Sequence, residues 1–581
     1  MLAPRAVIVG PASLSSAGPT ARAVGPTVPG VESRGSLPIL IRSAAESRDM
    51  SDPDRATGAV EYHERTGHSP ESLRADDFSL DYANEPRPYK IYRDLPRRSM
   101  GDRMPAPQVP ALAAVAEASR DPTLPGAEPA APDLGALTAL CYYSNGITRR
   151  IRRRGREMLF RAAACTGKLY HVDLYVVTGD LPPDGGDPDL SAGVYHFDPR
   201  SLSLDVLREG DHRDVLAAAS GHPAVAGAPL SFVATSTWWR NAWKYRERTF
   251  RHAFWDSGTV LANLLAVAHA LDLPASVVTA FADGPVADLV GVDPRREAPL
   301  ELVPVGGDPG GGGGEGSTDP PDVAPIDPAT EPLSPEERAY PLIAEAWRAG
   351  TLPGGAAAAG WRARAREAVA GGDPPGIGRR SFGDGPRVDL DPVDAETASA
   401  RPLANAVRRR GSCREYRRSP VSYRKLSTVL DRSFRGVPAD FGSHPLALND
   451  AFVISNAVDG IREGIYHYRP EAGAMERLRE GEFREAAGHL ALDQKLGADA
   501  AACVYFLTDL PAVVDRLGDR GYRAAQLEAS VTAGRLYLSA YAHRDLGATG
   551  LTFYDDEVTD FLAPRAADLT PTFLLTLGEP A

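Results

Sequence analysis

Gly193-Val-Tyr-His-Phe-Asp-Pro199 is followed by Leu207-Arg-Glu-Gly210, and 271 residues further on the chain reads Gly464-Ile-Tyr-His-Tyr-Arg-Pro470 followed by Leu478-Arg-Glu-Gly481. Residue type and spacing rarely persist together by chance, so one chain carries two copies of one module. The same register pairs the apolar run 231–237 with 502–508, each suited to a buried strand. Phe250-Arg251 is matched by Tyr522-Arg523, and each pair opens a long apolar pattern. Ala262, Leu265, Ala266 and Ala268 belong to the first, and Leu536, Leu538 and Ala540 to the second, which predicts two buried helices. Each copy closes on a strand ending in glycine, at Gly306 and at Gly578, a spacing of 272. Strand and helix signals mix in both copies, so each is expected to be α+β.

At 581 residues the chain is too long for one hydrophobic core, and two domains are the natural solution. A net charge of −13 excludes nucleic acid or an anionic membrane as the main partner, because both need a basic face, and leaves a peptide or small molecule. No run of about 18 apolar residues exists to span a membrane. Cys141, Cys165, Cys413 and Cys503 lie far apart without a CxxC pair, as reduced cytoplasmic thiols do.

The composition divides the chain further. Residues 1–55, rich in Pro, Gly, Ser and Ala, read as a disordered tail, with Met50 as an alternative start. Residues 56–130 form an N-terminal arm with helices, 131–306 the first domain, and 307–333 a Gly- and Pro-rich disordered linker. A connecting helical segment spans 334–398, its helix expected over 334–370, and the second domain spans 399–581.

Several short stretches hold chemistry. Arg410-Gly-Ser-Cys-Arg414 sets two guanidinium groups and a hydroxyl within five residues, and in an extended segment Arg410, Ser412 and Arg414 face one way, as a phosphate grip requires. Ala164-Cys-Thr-Gly-Lys-Leu-Tyr170 is a turn before a strand over 172–178, and Gly167 permits close approach to a flat ligand. Lys244-Tyr245 closes an aromatic run, where burial and an adjacent cation can move a Lys or Tyr pKa toward working pH. Each stretch taken alone has a plain structural reading: solvated basic surface, strand-entry turn, and aromatic core with a snorkelling lysine. His63 and His68 lack a third ligand at suitable spacing, so a docking arm and no metal are expected there.

Taken together these stretches resemble the nitroreductase superfamily, and within it the tandem SagB/ThcOx-type dehydrogenases. Arg410-Gly-Ser-Cys-Arg-Glu-Tyr416 is similar to the family's Arg-x-Ser-x-Arg/Lys-x-aromatic segment, which implies contacts from Arg410, Ser412 and Arg414 to the phosphate and ribityl chain of FMN. Residues 161–170 resemble the segment with which the partner subunit covers the flavin, so Cys165, Thr166, Gly167 and Lys168 would line it. Leu546-Gly-Ala-Thr-Gly-Leu-Thr-Phe-Tyr-Asp555 looks like the loop whose amides reach the flavin ring, implicating Gly550, Leu551 and Thr552. Lys244-Tyr245 matches the acid/base pair of azoline dehydrogenases of this type. The implied fold is two nitroreductase-like domains, each an antiparallel sheet wrapped by helices, in a pseudo-dimeric monomer.

The duplication adds a prediction of its own. The first half has no Arg-x-Ser-x-Arg before its helix over 137–145, the second has no counterpart of Cys165-Thr-Gly167, and Arg516-Leu517 stands at the register of Lys244-Tyr245. Each half keeps what the other lost, so one FMN per chain is expected. The resemblance implies oxidation of azoline rings on a peptide-derived product beside other biosynthetic enzymes, with dioxygen reoxidising the flavin. An NAD(P)H-dependent nitro or quinone reductase and a flavin-free peptide-binding scaffold stay open as alternatives.

Overall fold

Segments rich in β-branched and aromatic residues assemble two antiparallel sheets. The structure, a computed structural model, describes residues 57–100, 104–118, 131–153, 156–182, 190–307 and 317–581. The expected tail and part of the expected linker lie outside these residues. The first sheet has the spatial order Arg97–Ser99, Ser203–Glu209, Gly193–Asp198, Val172–Thr178, Leu230–Thr237, Glu297–Val305. The second runs Arg387–Asp389, Ala474–Glu480, Gly464–Arg469, Asp450–Ser455, Ala502–Thr508, Thr570–Gly578, Gly547–Leu551. Strand for strand the orders agree, and the second sheet adds one edge strand. The repeated Gly-x-Tyr-His motif is the inner strand of a hairpin in each copy, and both hairpins shift register at the same place, Val194/Tyr195 and Ile465/Tyr466. Each motif histidine is buried beside a strand aspartate: His467 Nε2 lies 3.1 Å from Asp450 and His196 Nε2 4.0 Å from Asp173. That fixes Asp173 and Asp450 as equivalent positions.

The helices Thr249–Ala270 and Asp519–Ala542 are buried on nearly every side, which explains why their sequences show no polar face. They cross where small residues meet. A Cβ on Gly258 would lie 1.9 Å from Ser530 Oγ and 2.8 Å from the Val531 nitrogen, and one on Gly534 would lie 2.6 Å from Ala262 Cβ. Ser530 and Gly534 stand 272 residues after Gly258 and Ala262. Equivalent residues touching each other mark a two-fold axis, so the halves pair as subunits of a symmetric dimer would. Gly258→Ala forces this crossing apart, and we expect it to cost about 1–3 kcal/mol despite alanine's better helix propensity. An unchanged denaturation midpoint would contradict the close approach.

Two buried ion clusters repeat the same symmetry. Arg248 and Arg251 hold Asp555 at 3.1 and 2.5 Å, while Arg520 and Arg523 hold Asp283 at 2.6 and 2.8 Å, every partner displaced by 272. Each cluster also gathers an arm helix. Around Asp555, Arg251 donates to the His63 carbonyl and Arg248 to that of Thr66, beside helix Ala59–Arg65. Around Asp283, Arg523 donates to the Trp347 carbonyl and Arg520 to that of Gly350, beside helix Pro341–Ala349. The duplication therefore includes the arms, at a spacing of 284.

Three expected features take a different form. The helix expected over 334–370 is two helices, Pro341–Ala349 and Gly355–Ala370, because Gly350, Pro353 and Gly354 interrupt it. The expected loop at 546–555 contains a strand, Gly547–Leu551, paired with Thr570–Gly578. The described end of the expected linker runs beside residues 87–93, with Arg87 N donating to Leu333 O and Glu331 N to Ile91 O. His63 and His68 belong to the docked arm, and the His68 amide donates to Asp555 at 2.8 Å.

Candidate active site

The turn before the strand Val172–Thr178 is bent by three residues of positive φ: Gly167 at 62°, Lys168 at 64° and Tyr170 at 49°. Asp256, on the first central helix, holds it. Its carboxylate accepts from the Thr166 amide and hydroxyl, both at 2.8 Å, and from the Cys165 thiol at 3.0 Å, and it lies 2.8 Å from His171 Nε2. Burial and the neighbouring carboxylate push the Cys165 thiol well above its ordinary range, so it acts as a donor. Sequence reasoning missed Asp256. The available signal was an acid in the middle of an apolar 22-residue helix, where an unpaired charge is too costly to keep.

Helix Trp238–Tyr245 delivers Lys244 and Tyr245 to the same place, and the chain leaves it at Arg246 with φ 48°. Tyr245 stands edge-on to His252, ring centroids 4.6 Å apart, with its hydroxyl over Gly167. The Lys244 ammonium lies 5.1 Å from the centre of the Tyr245 ring. Burial, with Arg414 close by, lowers the Lys244 pKa. Burial, then Asp256 and Cys165, raises that of Tyr245, with Arg414 acting against them. Among the described residues neither Lys244 nor Arg414 has a carboxylate partner. Gly167→Ala would set a Cβ 2.8 Å from the Tyr245 hydroxyl at a backbone angle that costs alanine roughly 1–2 kcal/mol. We expect a destabilisation of that size or more by chemical denaturation, and an unaffected midpoint would dismiss the contact.

The second half closes the site from the other side. Arg410 donates through Nε to the Ala162 carbonyl at 2.7 Å and through Nη2 to those of Arg161 and Ala163 at 3.0 and 2.9 Å. Expected to face a phosphate together with Ser412 and Arg414, Arg410 here spends these donors clamping the turn of the other half. Ser412 pairs with Ala548, the Cys413 amide donates to Ala548 O at 2.9 Å, and the Thr549 hydroxyl donates to Cys413 O at 2.7 Å. Tyr537, also missed from sequence, accepts from the Gly550 amide and lies beneath the Arg410 guanidinium, 5.9 Å from its ring centre. Thr552 Oγ1 is buried without a partner among the described residues. All four stretches singled out from sequence thus meet at the junction of the halves, drawn from both.

This arrangement agrees with what the chain is similar to. The model of the nitroreductase family matches residues 150–307 and 407–570, together more than half of the chain. A protein of Methanocaldococcus jannaschii described as nitroreductase MJ1384 is 30% identical over 186 residues, covering 30% of this chain and 90% of its own. The crystal structure of an Anabaena variabilis protein, likewise described as a nitroreductase, superposes with a TM-score of 0.68 at 25% identity, over 90% of this chain and 99% of that one. Two family domains on one polypeptide, each an antiparallel sheet with helices, place this chain in the nitroreductase family of oxidoreductases.

Proposed function

We propose that the chain is an FMN-dependent dehydrogenase of the SagB type, with one flavin per chain, that oxidises azoline rings to azoles on a peptide-derived product, dioxygen being the final electron acceptor. One observation supports this above the others: Lys244 and Arg414, neither paired with a carboxylate, lie close together at the junction, beside a buried hydroxyl, Thr552 Oγ1, that no protein group satisfies. A protein of net charge −13 has acids to spare for two surface cations. Leaving them unneutralised, and a buried polar atom unpaired, fits a site whose missing partner is an anionic, hydrogen-bonding ligand.

Ser412 and Arg414, with what Arg410 has left beyond its clamp, would hold the phosphate and ribityl chain. The turn of Cys165, Thr166, Gly167 and Lys168 would cover the ring, and the backbone of Gly550, Leu551 and Thr552 would line its polar edge. FMN when bound supplies a two-electron acceptor. The chain's own residues supply the proton chemistry. Lys244, its pKa lowered, is the better proton acceptor for the ring C–H, while Tyr245, its pKa raised, keeps its proton and orients the substrate through its hydroxyl.

A visible spectrum of the purified protein, flavin released per chain, and anaerobic bleaching test this reading. We expect about one flavin per chain, bleached by a thiazoline substrate and restored by air. Rapid bleaching by NADPH with none by thiazoline would assign a reductase instead, and a colourless protein that refuses added FMN would end the flavin reading altogether.

A further inference from the structure

A two-fold axis that makes one junction site makes a second on the opposite side. There the loop 275–280 stands where 547–552 stands in the first, at the spacing of 272. Its donors are taken. The Asp440 carboxylate, 1% exposed, accepts from the Thr279 amide at 3.0 Å, the Thr279 hydroxyl at 2.7 Å and the Ala280 amide at 2.9 Å. The backbones are also joined, Val277 N to Pro438 O at 2.8 Å and Asp440 N to Val277 O at 3.0 Å. Asp440 lies ten residues before Asp450; ten before its equivalent, Asp173, stands Ala163, whose methyl cannot accept a hydrogen bond.

The roof differs as well. Trp361, from helix Gly355–Ala370, is buried in one cluster with Phe441, Leu448 and Ala280. Its indole donates to the carbonyl of Leu517 at 2.7 Å. Leu517 is the register equivalent of Tyr245, 272 residues on. Where the first site offers a tyrosine hydroxyl, the second offers a leucine sealed by a tryptophan.

We infer that the second site is occupied by the chain itself: the Asp440 carboxylate is the resident acceptor for the amide pair 279–280, whose equivalents at 551–552 are left to a ligand, and removing that carboxylate alone creates a pocket for a small carboxylate ion. The limit of one bound flavin rests on the function proposed above, whereas the carboxylate pocket does not.

Asp440→Ala in the full-length chain deletes a group the size of formate. Its melting temperature should fall by several degrees, and sodium formate should recover at least half of that loss in a saturable way. Sodium chloride at equal ionic strength should recover none, and the wild type should not respond to formate. Equal responses to formate and chloride would overturn the inference. Should Asp440→Ala accumulate poorly, refolding yield in formate against chloride reads the same comparison, and Asp440→Asn, which keeps the shape and loses one acceptor, should be destabilised without formate rescue. Two flavins per wild-type chain would also overturn it. A colourless wild type with intact formate rescue would instead sink the flavin reading and leave the self-occupied site standing.

Discussion

Asp555→Ala will lower the stability of the protein by about 3–5 kcal/mol, the cost of leaving buried charge without its counter-ion. Arg248 and Arg251 are 3% and 0% exposed and depend on this one carboxylate, which also accepts from the His68 amide. Burial alone would raise the Asp555 pKa, but the two guanidinium groups overcome it and hold the carboxyl well below the usual range. A carboxylate depressed in the folded state contributes stability that is complete above the unfolded value near 4 and is lost as pH falls through the folded one. The gap between wild type and variant should therefore be constant from about pH 5 to pH 8 and narrow only in stronger acid. Burial and Arg251 lower His63 to about 4, so the folded wild type binds fewer protons there than the unfolded chain, and its stability declines as pH drops from about 6.5 toward 4. Denaturant midpoints across pH 4–8 measure both effects. A loss below about 1 kcal/mol at pH 7 would show that the cluster is dispensable. Asp283→Ala, its symmetry mate, should cost a similar amount.

What sequence alone reveals here follows side-chain chemistry. The Gly-x-Tyr-His hairpins and the apolar central helices are readable because strand pairing and helix burial impose patterns on the side chains themselves. The repeated arms are not, because Ala59–Arg65 and Pro341–Ala349 share little beyond backbone carbonyls presented to arginines, and a carbonyl leaves no mark on residue type. Lys244, Tyr245 and the Cys165–Lys168 turn are legible as local motifs, and the structure adds that Asp256 fixes the turn and that Arg410 grips it from the other half. Asp440 could not be found, since its role exists only where loop 275–280 of the first half meets it across some 160 residues of chain. The broken helix at Gly350 was visible as glycine and proline, but nothing local says that the Gly350 carbonyl is needed by Arg520.

Lys244→Met should reduce kcat by a factor of about 10²–10⁴, the usual worth of a positioned proton acceptor, while leaving the visible spectrum of the bound flavin in place. Methionine keeps the length and apolar stem of lysine, so the substitution removes the amine rather than the packing. Because Lys244 must be neutral to take a proton, kcat/KM in the wild type should rise with pH through its lowered pKa, and this limb should vanish in the variant. Arg414 sharpens the test. Its nearby positive charge, after burial, is what lowers the lysine, so Arg414→Ala should move the limb toward higher pH as well as weaken flavin binding. Tyr245→Phe retains the ring over Gly167 and loses only the hydroxyl, and should raise KM while keeping the limb where the wild type has it. A Lys244→Met enzyme with full kcat, or a pH limb that follows Tyr245 and ignores Arg414, would transfer the proton-accepting role from the lysine to the tyrosine.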